Sequence, residues 1–306
     1  MPQHIILQTP ILTASLANEP TTRGHVLITF ATTQLLTTPS ASKSILKSAR
    51  QIAHALCELT GSTRCALAYD GDRLIHILPL HGLDGPKWSA VLDNDQEFHE
   101  QFPGYLSTKS GPELAQADLN SMRDRIAAWS KIGSSPKEYD TSFYGDDDSD
   151  PADQNLFARI VRGELTQWRI WESSSHVAFL TPYANTPGFT VLVPRKHTSS
   201  DIFSLAPDDY DALVDAACSV SALLKTALGV SMVGMFFEGL EIDYSHVKLV
   251  PVHTTNTSNE LGEPLREEFR ELYRGSVSTR LGLTPYPDEE LQRMAGELRA
   301  RLYHDE

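Results

Sequence analysis

The sequence has few cysteines, no long apolar run and fewer basic than acidic residues. Only three cysteines occur among 306 residues, without paired spacing, so neither a disulfide framework nor a zinc site is predicted. This cysteine usage is typical of a reducing compartment, and we expect a cytoplasmic protein. The first 21 residues lack a basic segment followed by an apolar one, which argues against a secretory signal. No stretch approaches ~18 apolar residues, so no membrane association is expected.

The charge balance restricts the class of partner. Lys and Arg number 26 against 40 Asp and Glu, which gives a net charge of −14. Because contact with a nucleic-acid backbone needs clustered basic residues, the excess of acid argues against nucleic acid as a partner. A small anionic ligand in a local pocket stays compatible with it. The chain also has no P-loop, no well-placed dinucleotide fingerprint and no G-x-S-x-G nucleophile elbow.

What the sequence does contain is two similar halves on either side of an acidic segment. Residues 134–153 combine Ser, Pro and Gly with an acidic run at 146–150 and have no apolar periodicity, which predicts a solvated linker. The chain length fits two domains. We therefore predict a first half at residues 1–133 and a second half at residues 154–306 that ends in a helical extension.

The two halves repeat one order of motifs, which predicts a duplicated α+β unit. The matched segments are 22–28 with 186–192, 44–60 with 207–228, 69–71 with 237–239, 75–81 with 247–253 and 98–107 with 269–278. Each half has strands, one long helix followed by Gly61 or Gly229, a final strand and a helical tail. Two such units with antiparallel strands can pack about a pseudo-two-fold axis within one chain. Two unrelated α+β domains with similar turn and helix signals are the alternative.

Apolar residues at helical spacing predict a C-terminal helix over residues 288–302. Leu291, Met294, Leu298 and Leu302 would form its apolar face, and Met122 lies at the position in the first half that matches Met294. We expect this helix to dock against its own half. A helix that binds a partner is the alternative.

The segment 243–251 has the alternation of a strand with three polar residues on one face. Tyr244, His246 and Lys248 would project together, because successive side chains of a strand point to opposite faces. A neutral imidazole between a phenol and an ammonium can act as a nucleophile with a proton donor and an anion clamp beside it. The residue of the first half that matches His246 is Leu74, which has no such chemistry. A solvated polar face of a strand is the alternative.

On these residues the second half resembles the histidine-triad (HIT) superfamily of nucleotide hydrolases and transferases, over residues 155–253. Residues 156–164 are similar to the opening segment whose apolar side chains line the base pocket in that family, and residues 179–194 to its central hairpin. The final strand of the family carries His-φ-His-φ-His, where φ is apolar and the middle His is the nucleophile. In that register His246 takes the nucleophile position, Tyr244 the first His and Lys248 the third.

The resemblance implies attack of the imidazole on an α-phosphorus and a covalent nucleotidyl-histidine, without a metal or other cofactor. It implies catalytic roles for His246, Lys248, Tyr244 and His197, and substrate contacts by Phe157, Ile160 and Thr181. Glu238 and Arg195 are further candidates for substrate binding. Arg195 belongs to a basic cluster after a strand that could contact a phosphate, and a solvated turn is the alternative. In this assignment Lys248 stabilises phosphoryl charge, while Tyr244 and His197 orient or protonate. The repeat would supply within one monomer the pairing that the family makes between protomers, and a further homo-oligomer is left open.

Three departures from the family pattern affect the expected ligand. Thr181 stands where a ribose-binding Asp is usual, and two of the three triad histidines are replaced. The phosphate-binding loop before the triad is shortened to residues 240–243, where Glu241 and Asp243 would repel a phosphate if they faced it. The residues favour an enzyme that acts on a nucleotide or phosphate ester. A ligand-binding protein without catalysis and an enzyme with a non-nucleotide substrate are the alternatives.

Overall fold

Ten strands form one continuous antiparallel sheet in the computed structural model, which describes residues 4–30, 35–83, 88–130, 132, 138–144, 153–254 and 265–303. The first five strands are β1 (Ile5–Gln8), β2 (Leu12–Leu16), β3 (Val26–Phe30), β4 (Cys65–Tyr69) and β5 (Leu74–Pro79). The next five are β6 (Trp168–Glu172), β7 (His176–Leu180), β8 (Thr190–Pro194), β9 (Val233–Phe237) and β10 (Val247–Pro251). The α+β class with a large antiparallel sheet is thereby confirmed.

The strand order is the same in both halves when it is followed outward from the middle of the sheet. The full order is β1-β2-β3-β5-β4-β9-β10-β8-β7-β6. Outward from the middle, the first half therefore has the order β4-β5-β3-β2-β1 and the second half the order β9-β10-β8-β7-β6, in which each strand number is larger by five. The halves join where β4 pairs with β9, with Leu67 opposite Phe237 and Tyr69 opposite Met235. The core therefore runs across both halves, and the division at residues 134–153 stays a prediction.

Two long helices cover one face of the sheet. They are α1 (Pro39–Thr60) and α4 (Pro207–Leu228), each with Pro in its first turn and a left-handed Gly after its last residue. The sequence placed the start of α1 at residue 44. It begins earlier because Pro39, with its fixed φ and missing N–H, suits the first helical position. Apolar side chains of both helices pack against Ile28, Leu67 and Leu249 of the sheet.

The helical tails of the two halves are exchanged. Three shorter helices are α2 (Gln116–Ala127), α3 (Leu156–Val161) and α5 (Asp288–Leu302); residues 266–267 and 281–282 form a short parallel pair, β11 and β12. Helix α2 packs on β6 and α4, whereas α5 packs on β1 and α1. The expectation that α5 docks against its own half was wrong, because the two tails cross at a bridge between Ser107 and Ser278.

Part of the predicted linker is packed against the second half. Tyr139 is buried, and the guanidinium of Arg169 lies 4.9 Å from its ring centre. The carbonyl of Asp140 accepts hydrogen bonds from Arg169 and Arg195, both at 2.7 Å. The acidic run at 146–150 lies outside the described residues. Within the described ranges, no helix is long and apolar enough to cross a membrane.

Candidate active site

The segment that carries the predicted nucleophile is a turn followed by a strand. The sequence predicted a strand from residue 243, whereas β10 begins at Val247. The strand is shorter because the N–H of Tyr244 donates to the carbonyl of Ile242 and the N–H of Ser245 to that of Thr198, outside the ladder. The alternation of side chains is nevertheless kept. Tyr244 belongs to the core on the sheet face opposite the long helices, and Val247 to the core beneath them.

His246 is buried and its ring is fixed in one tautomer. Its Nδ1 lies 2.7 Å from the carbonyl oxygen of Tyr244, and its exposed fraction is 3%. Because a carbonyl only accepts, Nδ1 carries the proton and Nε2 keeps its lone pair. The edge of the ring contacts Phe157, with ring centres 5.2 Å apart. Burial and the nearby charge of Lys248 lower the pKa of His246 to about 4. The imidazole is therefore neutral near pH 7, the form that a nucleophile needs.

Lys248 is held between two carboxylates. Its Nζ lies 3.1 Å from Oε2 of Glu241 and 3.5 Å from Oε2 of Glu238. Burial disfavours the ammonium, but the two carboxylates outweigh burial and raise the pKa of Lys248. Burial also raises the pKa of Glu238, while Lys248 lowers the pKa of Glu241. Glu238 is fixed from its other side by the hydroxyl of Tyr273. Lys248 thus stays charged at one place beside His246.

A cavity of about 290 Å³ opens in front of His246 and Lys248. Three of the predicted substrate-binding residues line it, namely Phe157, Ile160 and Thr181. The other lining residues are Thr108, Lys109, Ser110, Leu156, Leu165, Thr166, Gln167, Trp168, Phe179, Leu180, Pro182, Tyr183, Phe189, Val191, Glu241 and Ile242. Apolar walls with a few polar groups at one end are typical of a small-molecule site.

Arg195, predicted to bind substrate, is turned away from this cavity. It is fully buried, and its guanidinium donates to the carbonyls of Ser173, Asp140 and Ser142 at 2.7 to 3.1 Å. A further contact of 3.3 Å joins it to Glu172. Its described contacts therefore hold the segment 138–144 against the sheet. Glu238, also predicted to bind substrate, is not among the residues that line the cavity, and it contacts Lys248 instead.

His197 and the hydroxyl of Tyr244 are also engaged outside the cavity. Nδ1 of His197 lies 2.6 Å from the carboxylate of Asp153, and Nε2 lies 2.8 Å from the carbonyl of Asp243. The ring of His197 stacks on Tyr244 with centres 4.5 Å apart. The Tyr244 hydroxyl donates to the carbonyl of Pro194 at 2.8 Å. These contacts fix the turn that carries the Tyr244 carbonyl, so both residues are placed to position His246.

The segment 108–110 was missed by the sequence analysis. It comes from the tail of the first half and adds Lys109, whose Nζ lies 3.3 Å from Asp95 and 3.8 Å from Asp93. The signal was available, because Ser-Thr-Lys-Ser-Gly at 107–111 matches Ser-Thr-Arg-Leu-Gly at 278–282. Both final glycines are required by close packing. A Cβ on Gly111 would lie 1.9 Å from the carbonyl oxygen of Ala184, and one on Gly282 2.2 Å from that of Pro20.

Metal-binding side chains do not converge in the described part of the chain. No three His, Cys, Asp or Glu side chains there are grouped so that they could hold a metal ion.

Two known proteins similar to this chain in sequence are HIT-like proteins. A HIT-like protein of Saccharolobus solfataricus is 27% identical over 126 residues, which cover 39% of this chain and 88% of that protein. A HIT-like protein of Mycoplasma genitalium is 27% identical over 105 residues, 33% of this chain and 74% of that protein. No protein-family profile matches the chain.

Solved structures with similar folds include an ADP-glucose phosphorylase from Arabidopsis thaliana with bound ADP-glucose. It has a TM-score of 0.48 and 10% identity, over 95% of this chain and 85% of that one. A HIT family protein from Bacillus anthracis has a TM-score of 0.34 and 21% identity, over 49% and 97%. The antiparallel sheet and its helices define an α+β protein. In sequence the chain is similar to HIT-like proteins, at 27% identity over 33 to 39% of its length.

Proposed function

We propose that the protein is a nucleotidyl hydrolase or transferase that acts at a phosphorus centre through His246. The observation that carries this proposal is the fixed tautomer of a buried, neutral imidazole. Its Nδ1–H donates to the Tyr244 carbonyl, which leaves Nε2 as the nucleophilic atom of a residue that lines the cavity. The geometry needs no base to remove a proton from the nucleophile, because Nε2 carries none.

The reaction consists of two displacements at one phosphorus atom. In the first, Nε2 of His246 forms a P–N bond and the bond from phosphorus to the leaving group breaks. The leaving group departs with the electron pair and takes a proton from the ammonium of Lys248, which lines the cavity. In the second, water or another acceptor forms a P–O bond, the P–N bond to His246 breaks, and the acceptor's proton returns to Lys248. The positive charge of Lys248 stabilises the phosphoryl oxygens before its proton is transferred.

The apolar part of the cavity supplies the binding energy for the nucleoside. Phe157 and Ile160 offer the apolar wall against which a base packs, and Thr181 offers a neutral hydroxyl to the sugar. A hydroxyl cannot make the charge-assisted hydrogen bond to a ribose diol that a carboxylate makes. We therefore expect weak discrimination between ribose and deoxyribose.

The covalent intermediate can be tested by intact-mass spectrometry after mixing with adenosine 5′-phosphoramidate. We expect a gain of one adenylyl group on His246 and no gain in the His246→Asn variant, whose amide can still donate to the Tyr244 carbonyl. The control is His76→Asn, which replaces a buried histidine of the first half two residues after the position that matches His246. This variant should keep the adduct. Undiminished turnover by His246→Asn would contradict the mechanism.

A ligand-binding protein without catalysis is the second candidate. It is favoured by the hydroxyl of Tyr244, which donates to Pro194 and so offers no proton to a leaving group. A ligand that binds the folded state raises apparent stability, so this candidate predicts a thermal shift with AMP and no adduct on His246. Absence of any shift with nucleotides would favour a non-nucleotide ligand.

A further inference from the structure

The charged side chains near His246 include more carboxylates than ammonium groups, which is unusual for a site that binds phosphate. Lys248 contributes one positive charge, while Glu238 and Glu241 contribute two negative charges. The second cation that lines the cavity, Lys109, faces Asp93 and Asp95. Each of these ammonium groups therefore has two carboxylates within 4.0 Å. A ligand with several negative charges would meet these carboxylates as well as the two lysines.

The two glutamates beside Lys248 differ in access. The side chain of Glu238 is 3% exposed and is fixed by Tyr273, so it is part of the structure behind Lys248. The side chain of Glu241 is 43% exposed and lines the cavity. Its charge also acts on His246, where it raises the pKa against the larger effect of burial. Glu241 is therefore the carboxylate that a bound substrate meets near the reacting atom.

The other acid of the same loop is turned elsewhere. The carboxylate of Asp243 accepts a hydrogen bond from the hydroxyl of Ser200 at 2.7 Å, and the carbonyl of Asp243 accepts from His197. Asp243 is not among the residues that line the cavity. Of the two acids that the sequence flagged as possible repellents of phosphate, Glu241 alone lines this cavity.

We propose that Glu241 determines substrate specificity by the charge of the leaving group. It favours phosphoryl substrates whose leaving group is cationic, such as an amine-bearing nucleoside phosphoramidate, and disfavours polyanionic leaving groups such as a polyphosphate. This inference rests on the proposed function, because it concerns the group that His246 displaces. The two glutamates outnumber Lys248 by one charge, so a cation on the exposed side of Glu241 gains Coulomb energy, whereas an anion at the same place loses it.

The test compares three adenosine 5′-phosphoramidates whose alkyl chains have one length and end in an ammonium, a methyl or a carboxylate group. For the wild type we expect kcat/KM to fall in that order, with roughly a tenfold or larger ratio between the ammonium and carboxylate substrates at low ionic strength. In Glu241→Gln the ratio should fall towards one, with a gain for the carboxylate substrate. Glu241→Asp should keep the order. Glu58→Gln, on the exposed surface of α1, should keep the wild-type ratio.

The outcomes separate the inference from the proposed function. If Glu241 is merely structural, Glu241→Gln lowers all three rates by one factor, and the inference is overturned while the function stands. The inference is also overturned if the wild type has a ratio near one between kcat/KM for the ammonium substrate and kcat/KM for the carboxylate substrate. If none of the three substrates is turned over and no adduct forms on His246, both proposals fail. A ratio that shrinks as salt is added supports the electrostatic origin, since salt screens an interaction with a partly exposed carboxylate.

Discussion

The candidate site of the second half and the matching place in the first half have the same strand arrangement but different surroundings: one lines a cavity and the other is buried in the core. In the second half His246 and Lys248 line a cavity, whereas 172 residues earlier the same positions are Leu74 and His76, both in β5. His76 is fully buried, and its Nδ1 lies 2.9 Å from Nε2 of His25. At the position of the charged Lys248, the first half thus has a buried histidine that is part of a closed core.

The hydrogen bonds of the first half show how a buried histidine pair is kept neutral. The N–H of Thr21 donates to Nδ1 of His25, so His25 carries its proton on Nε2 and donates to His76. The remaining Nε2–H of His76 has no partner among the described residues. Burial lowers the pKa of His76 to about 3. The first half therefore has a buried place where a charge on His76 is strongly disfavoured.

One methylene group accounts for part of the difference between the halves. Glu238 of the Phe-Glu-Gly motif reaches Lys248, whereas its counterpart Asp70 in Tyr-Asp-Gly accepts the N–H groups of Asp72 and Leu74 at 2.8 and 3.1 Å. The shorter acid binds its own turn, and the longer one anchors a cation on the neighbouring strand. A similar motif can therefore have a structural role in one half and an electrostatic role in the other.

The exchanged helices give the comparison with the largest expected effect on stability. Leu119, Met122 and Ile126 of α2 have the spacing of Leu291, Met294 and Leu298 of α5, but Met294 is buried and Met122 only half-buried. We expect Met294→Ala to lower the free energy of unfolding by about 3 kcal/mol and Met122→Ala by about 1 kcal/mol. Urea unfolding at pH 7 measures both. Equal costs would show that the two helices contribute equally.

Acid should destabilise the first half through its histidine pair. The pKa of His76 is about 3 in the folded protein and about 6.5 when unfolded, so the unfolded chain binds the extra proton as the pH falls below 6.5. This difference removes about 2 kcal/mol of stability between pH 7 and pH 5. In His76→Asn, whose amide oxygen can accept from His25, the loss over that interval should shrink by that amount.

The second half offers a matched measurement of acid sensitivity. His246 has a lowered pKa of about 4, so His246→Asn should reduce the loss of stability between pH 7 and pH 5 to a similar degree. Urea unfolding at the two pH values gives both differences. If neither variant changes the dependence on pH, other groups cause the acid sensitivity.

The sequence was sufficient to predict that His246 and Lys248 lie together and which residues form part of the cavity wall. The alternation of residues 244–248 placed His246 and Lys248 on one face, and the family resemblance added Phe157, Ile160 and Thr181, which line the cavity. The matched motifs of the two halves likewise predicted a repeated α+β unit, but not the number of its strands or their order in the sheet. The shared face of His246 and Lys248 follows from local periodicity, which a single sequence contains, whereas the wall residues came from the family resemblance.

Other parts of the site depend on where distant segments meet. The charge of Arg195 suggested a phosphate contact, but its partners Asp140 and Glu172 come from segments whose positions the sequence does not fix. Lys109 reaches the cavity because the tails cross, and the apolar spacing of α2 or α5 does not say on which half the helix docks. The sequence also gave no sign that Glu241 faces the cavity while Asp243 binds Ser200.

The smallest effect is expected for Tyr244→Phe, which separates the hydroxyl of Tyr244 from its carbonyl. The hydroxyl donates to Pro194, while the carbonyl holds the tautomer of His246 and is kept in the variant. We expect kcat/KM to stay within about threefold of the wild type and stability to fall by about 1 kcal/mol. The matched control is Tyr210→Phe, which removes a similar buried bond to the carbonyl of Leu46 away from the cavity. A loss of activity by about 100-fold or more in Tyr244→Phe alone would show that the hydroxyl takes part in proton transfer. The fixed carbonyl would then be only one of the two contributions that the residue makes to the nucleophile.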